Sequence, residues 1–116
     1  MARYEDHLTC KFRDAEAWLN EIILGGSVSA NLEEESGWQL GDVQCATRVY
    51  ERYSWLGGNR LSLTLTLFGQ DGDVRVSAIT AGGSQAMFFK INTFGEEAFL
   101  DSFVRGLEKL KRKNDL

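Results

Sequence analysis

Residues Leu61-Ser62-Leu63-Thr64-Leu65-Thr66-Leu67, the turn Gln70-Asp71-Gly72-Asp73, and Val74-Arg75-Val76-Ser77-Ala78 decide the fold. Leucine alternates with a hydroxyl residue over seven positions, the period of a strand with one buried and one wetted face. Asp-Gly between two such runs suits a two-residue type I′ hairpin. Upstream, Val43 to Ser54 alternates in the same way and is separated from the leucine run by a loop around Gly57-Gly58-Asn59. Three consecutive strands joined by glycine-bearing turns predict an antiparallel meander. In the upstream run Val43, Cys45, Thr47, Val49 and Tyr53 are assigned inward, and Gln44, Ala46, Arg48, Tyr50 and Arg52 outward. Glu51 interrupts the inward set, which places it at an exposed strand end or beside a bulge.

Toward the amino terminus, Leu8-Thr9-Cys10-Lys11-Phe12 reads as a short strand, and Asp14 offers a carboxylate as a helix cap. Ala15, Trp18, Leu19, Ile22 and Ile23 then recur on one helical face, with Glu16, Asn20 and Glu21 elsewhere on the wheel. Gly25-Gly26 ends this helix, in the manner of a left-handed glycine cap. Val28, Ala30 and Leu32 alternate as a strand, and Glu34-Glu35-Ser36-Gly37 breaks the pattern as a loop. Toward the carboxyl terminus, Met87-Phe88-Phe89-Lys90-Ile91 is a further strand or an ordered loop. Thr93 and Glu96 have capping-box spacing before a helix whose apolar stripe is Phe99, Leu100, Phe103, Val104, Leu107 and Leu110. Lys109, Lys111, Arg112 and Lys113 complement the dipole at its end. The expected fold is therefore α+β, in the order strand-helix-strands-helix. It is a two-layer sandwich in which a curved antiparallel sheet of about five strands packs both helices on one face.

The totals agree with a single domain spanning residues 1–116. The chain has 116 residues, 43% hydrophobic and 26% charged, enough apolar material for one core. A net charge of -4 argues against nucleic acid as a partner. No window approaches the roughly 18 apolar residues of a membrane helix. The first residues, Met1 to His7, lack the apolar core of a signal peptide, so a cytoplasmic location is expected. Cys10 and Cys45 have no paired spacing and read as small buried hydrophobes. The chain contains no proline.

Catalytic constellations are sparse. His7 is the single histidine and falls in a terminal segment expected to be mobile, so a histidine-dependent triad has no visible support. No cofactor and no metal are expected: three Cys and His residues are too few for a structural zinc site. Glu33, Glu34, Glu35 and Asp42, and likewise Asp71 and Asp73, read as solvated loop charge. Gly82-Gly83-Ser84 could form an anion-binding nest, though a glycine-permitted turn is the simpler reading.

Binding features stand out more. Arg48, Tyr50 and Arg52, beside Ser62, Thr64 and Thr66 and then Arg75 and Ser77, would give the outer sheet face a surface suited to anions or carboxylates. The simpler alternative is that such residues form strands well while facing water. Aromatic residues gather near Gly57-Gly58, including Tyr50, Tyr53 and Trp55, and around Ile91, including Phe88, Phe89 and Phe94. They could rim a pocket or form a self-association patch. Trp38 and Trp55 are the rings expected at the surface.

Three stretches carry a family resemblance. They are Gly41-Asp42-Val43-Gln44-Cys45 with Arg48-Val49-Tyr50-Glu51-Arg52-Tyr53-Ser54; Gly57-Gly58-Asn59-Arg60-Leu61-Ser62-Leu63; and Gly82-Gly83-Ser84-Gln85-Ala86 with Asn92-Thr93-Phe94-Gly95-Glu96. Together they resemble a family of short bacterial proteins, mainly Gram-positive, carried as a domain of unknown function. The resemblance covers nearly the whole chain and implies a bacterial cytoplasmic protein, with no activity or catalytic residue to transfer. The expected role is a non-catalytic self-associating or protein-interaction module, forming a homo-oligomer through a sheet edge or an aromatic loop patch. The candidate binding residues are Arg48, Tyr50, Arg52, Trp55, Gly82, Gly83, Ser84 and Phe89. The alternative is a carrier or sensor of a small apolar ligand held between the sheet and the last helix.

Overall fold

The leucine run forms the strand it predicts: Leu61, Leu63, Leu65 and Leu67 are at most 1% exposed, while Ser62, Thr64 and Thr66 between them are half-buried. Burying each leucine side chain contributes about 1.5–3 kcal/mol, so this one strand anchors the core. In the computed structural model, which describes residues 1–26, 29–53, 60–82 and 89–116, the elements run β1 (Ala2–Leu8), α1 (Phe12–Gly25), β2 (Asn31–Leu40), β3 (Val43–Tyr53), β4 (Arg60–Gln70), β5 (Asp73–Gly82) and α2 (Phe89–Asn114). Side chains of residues 89–94 lie outside that description.

The chain is α+β, with one five-stranded antiparallel sheet in the order β1-β5-β4-β3-β2 and two helices. The meander β2-β3-β4-β5 fills four positions, and β1 adds to its far edge by pairing with β5, Leu8 opposite Val74 and Ala2 opposite Thr80. The inward residues of β4 and β5 form a single buried cluster with Phe12, Ala15, Leu19 and Ile23 of α1 and Phe99, Leu100, Phe103 and Leu107 of α2.

Several local expectations are corrected. The first strand is Ala2–Leu8 rather than Leu8 to Phe12; its inward positions hold Tyr4 and Asp6, polar residues that hide the alternation. Phe12 instead opens α1 and is 1% exposed. Asp14 lies inside the first turn, and Lys11 at the cap makes no side-chain cap bond. The cap comes from another element, for Asp71 Oδ1 accepts the Phe12 backbone N–H at 2.9 Å. Next to it, the Gly72 N–H donates to the Cys10 carbonyl at 2.8 Å. Asp71, exposed as expected of a loop charge, is thus also a brace between the β4-β5 turn and α1.

That turn also differs from type I′, which needs positive φ at both central residues. Gly72 has φ 90°, whereas among described non-glycine residues only Asp115 has positive φ, so Asp71 does not. At the end of α1, Gly26 sits in the right-handed region at φ -83°, so Gly26 is not a left-handed cap.

The segment Glu34 to Gly37 is strand rather than loop, paired with β3 throughout. Its alternation is lost because the register shifts between Leu32 and Glu34, which turns the following residues over. Glu51, expected at an exposed strand end or beside a bulge, pairs in register with Asn31 and Ser62, and the bulge is on the neighbouring strand β2. Val28 and Met87 fall outside the described residues. From Phe89 onward the chain is helix, so Phe89 to Ile91 is not strand and Thr93 to Glu96 is helix interior rather than a capping box. Glu96 is 6% exposed; its carboxylate pairs with the amino terminus and its carbonyl accepts the Thr80 hydroxyl at 3.1 Å.

Candidate functional site

The two faces of β3 are the reverse of the sequence reading. Register pairs Ala46 with Leu67, Arg48 with Leu65, Tyr50 with Leu63 and Arg52 with Leu61, so these residues share the leucine face. Ala46 is 9% exposed and Tyr50 fully buried, whereas Val43, assigned inward, is 38% exposed. Arg48, Tyr50 and Arg52 therefore do not build an outer anion surface. They line a polar seam under the helices, beside the core. The Tyr50 hydroxyl donates to Asn20 Oδ1 at 2.7 Å, and burial pushes its pKa up, with Arg48 partly opposing. Arg48 Nη2 lies 3.5 Å from Glu16 Oε2. The Arg52 guanidinium sits 4.4 Å above the Phe99 ring, and burial lowers its pKa. Glu16 and Asn20, which seemed to lie off the helix's working face, are the partners of this seam.

Of the other candidates, Gly82 ends β5, and a Cβ there would meet Leu61 Cδ2 at 2.6 Å and Glu96 Oε1 at 3.3 Å. It is a close-packing position. Trp55, Gly83 and Ser84 lie outside the described residues, as does the Phe89 side chain.

Three rows cross the whole outer face from β2 to β1, with Leu40 and Val43 beyond them at one end and Asn31, Glu51, Ser62 and Ala81 at the other. The first is Trp38, Cys45, Phe68, Arg75 and His7. The second is Ser36, Thr47, Thr66, Ser77 and Glu5, and the third Glu34, Val49, Thr64, Ile79 and Arg3. The middle of this field, from Thr47 and Val49 to Ser77 and Ile79, contains no charge. Charged groups surround it: Arg3, Glu5 and His7 on one edge strand, Glu34 on the other, the Asp73–Arg75 pair at one end of the strands and the Glu51–Arg60 pair at the other. One corner is apolar, with Trp38 79%, Leu40 85%, Val43 38% and Phe68 53% exposed. Surface exposure of Trp38 agrees with the sequence; Leu40 and Phe68 do not stand out there. The available signal was Phe68 itself, an aromatic ring at the outward phase of the leucine strand.

His7 is held in ordered strand rather than in a mobile terminus. Its Nε2 lies 2.9 Å from Asp73 Oδ1, and Arg75 Nε donates to the same oxygen at 2.9 Å. The Arg75 hydrogen bond holds the Asp73 carboxyl below the usual carboxylate range. A cleft of about 500 Å³ opens beside this trio, lined by Phe68, Thr66, Ser77 and Glu5 among others. On the far side of β1, Asp6 faces α2. Burial pushes its carboxyl up, but the Lys111 ammonium at 2.8 Å, the His7 N–H at 2.7 Å and the Tyr4 hydroxyl at 3.0 Å outweigh this and hold it low. Tyr4, partly buried and bonded to that carboxylate, is pushed up to about 12.

Both cysteines are free and half-buried; Cys10 packs against the core, where burial raises its pKa, and Cys45 faces outward. No helix among the described residues is long and apolar enough to cross a membrane. Compared with known proteins, residues 1–111 match the model of a family of unknown function, DUF6054, and the chain belongs to that family. No curated protein and no solved structure matches it.

Proposed function

We propose that this member of a family of unknown function is a non-catalytic interaction module whose working surface is the outer face of its sheet. The reading takes the fold as a two-layer sandwich, both helices on the leucine face, which leaves the opposite face to a partner. The observation that carries it is the distribution of residues on that face. Its middle is uncharged and its borders charged, with Trp38, Leu40 and Phe68 exposed at one corner. Protein interfaces have this anatomy, an uncharged core depleted of Lys, Glu and Asp inside a polar rim. The 500 Å³ cleft also opens on this face, away from the sheet–α2 layer that an apolar-ligand carrier would use.

Phe68→Glu tests the reading because Phe68 is already half exposed and its loss leaves the core untouched. Native mass spectrometry on protein purified gently from the cells that make it should show a complex heavier than the 13.0 kDa chain, absent for Phe68→Glu. Wild-type protein found at the chain mass alone contradicts the reading, as does a complex that survives the substitution.

A further inference from the structure

Resting on that reading, we infer that the occupant of the outer face is a second copy of this chain, docked about a two-fold axis that runs along β4. Size gives the first argument. Five strands about 4.8 Å apart and some ten residues long present roughly 700 Å². Two such faces bury about 1,400 Å², within the range of stable specific interfaces.

Charge gives the second argument and selects the axis. A rotation about an axis along β4 keeps each row opposite itself while exchanging β2 with β1 and β3 with β5. Arg3 then faces Glu34 of the second copy, because both end the same row. Symmetry makes this contact twice. In the same row Ile79 meets Val49, an apolar pair also made twice. Two rows over, Trp38 meets His7, beside Arg75, where a cation can lie over the indole. In these three rows the residues on the axis are Thr64, Thr66 and Phe68, which face their own copies without like-charge repulsion; Arg60, on the same face at the start of β4, is ion-paired within its own chain to Glu51 at 2.9 Å and Glu33 at 3.6 Å.

The other in-plane axis, perpendicular to the strands, folds each strand back on itself. It sets Arg3 against His7 within β1 and offers Glu34 no cation. The axis along β4 also keeps the strand directions of the two sheets aligned, as face-to-face sheets pack. The result is a four-layer dimer with helices outside and the two sheets within.

Sedimentation equilibrium of the purified chain, with single and paired charge reversals, tests this arrangement. Wild type should sediment as a dimer. Arg3→Glu and Glu34→Arg should each weaken it roughly tenfold or more, since each reverses two contacts, and the double variant should recover most of the loss. A dimer indifferent to all three variants but lost in Phe68→Glu overturns the axis while leaving the docking face standing. A monomeric purified chain whose native complex still needs Phe68 overturns the second copy as occupant. A dimer unaffected by Phe68→Glu overturns both the inference and the reading beneath it.

Discussion

Gly106 in α2 sets how closely the two helices meet, and Gly106→Ala measures that contact. A Cβ at this position would lie 2.5 Å from Ile22 Cγ2 and 3.5 Å from Ile22 Cβ and Cγ1. Two effects oppose each other. Alanine favours the helix interior by about 0.8–1 kcal/mol over glycine. The added methyl overpacks a helix–helix contact, which typically costs about 1–3 kcal/mol. Ile22 cannot yield cheaply, because its β-branched side chain is stiff at χ1 in a helix. The balance is a net loss of about 1 kcal/mol, or a fall in melting temperature of roughly 4 °C for a chain of this size. Urea unfolding followed by circular dichroism measures it, and Ile22→Ala supplies the control. In the Ile22→Ala background the clash is gone, so Gly106→Ala should become neutral or stabilising, a coupling of about 1–2 kcal/mol. Gly106→Ala that stabilises the wild-type background would refute the close approach, and so would equal effects in both backgrounds.

Four further outcomes follow from the same packing. Folding lowers the Asp6 pKa, so the folded state holds that proton more weakly; its contribution is present above the unfolded value of about 3.9 and lost as pH falls through the folded one. The stability gap between wild type and Asp6→Asn should accordingly shrink below about pH 4, and a gap constant from pH 7 to 3 would contradict the Lys111 contact. Tyr4 runs the other way: with its pKa raised to about 12, stability falls as pH rises from about 10 toward that value. Tyr50→Phe removes the donor to Asn20 and should cost about 1 kcal/mol in chemical denaturation, without changing the sheet content seen by circular dichroism. Asp71→Ala should cost about 1 kcal/mol as the lost cap of α1; a solvated surface charge would give within about 0.5 kcal/mol of zero.

How far the sequence revealed this depended on whether a local pattern matched its tertiary setting. β4 and β5 were legible because their alternation is uninterrupted and leucine, valine or alanine occupies every inward place until Thr80. The apolar stripes of α1 and α2 were legible for the same reason at helical period. β1 was not, because Asp6 and Tyr4 occupy inward positions; Tyr4 donates to Asp6, and Asp6 is paired with Lys111, a residue 105 positions away that no local window contains. The Asp71 cap failed in the same way, across a separation of 59 residues. β3 was read with its faces exchanged because β-branched Val43, Thr47 and Val49 look more buried than Arg48 or Arg52. What settles the matter is Tyr50, whose hydroxyl finds Asn20, and the two arginines, which find Glu16 and the Phe99 ring. That exchange also moved the candidate site. The arginine surface expected outside lies under the helices, and the true outer face carries Trp38, Phe68 and an uncharged middle.

The outer face can be probed most directly on the symmetry axis itself. Thr66→Cys, in a Cys10→Ala, Cys45→Ala background whose fold is checked by circular dichroism, places one thiol where it would face its own copy across two sheets about 10 Å apart. A bismaleimide with a span of about 8–10 Å should join two chains there, and should leave Lys109→Cys, exposed on α2, unjoined. Covalent dimer from Thr66→Cys alone is the result the account predicts. Thr66→Cys that stays at the chain mass while it reacts fully with the reagent would contradict it.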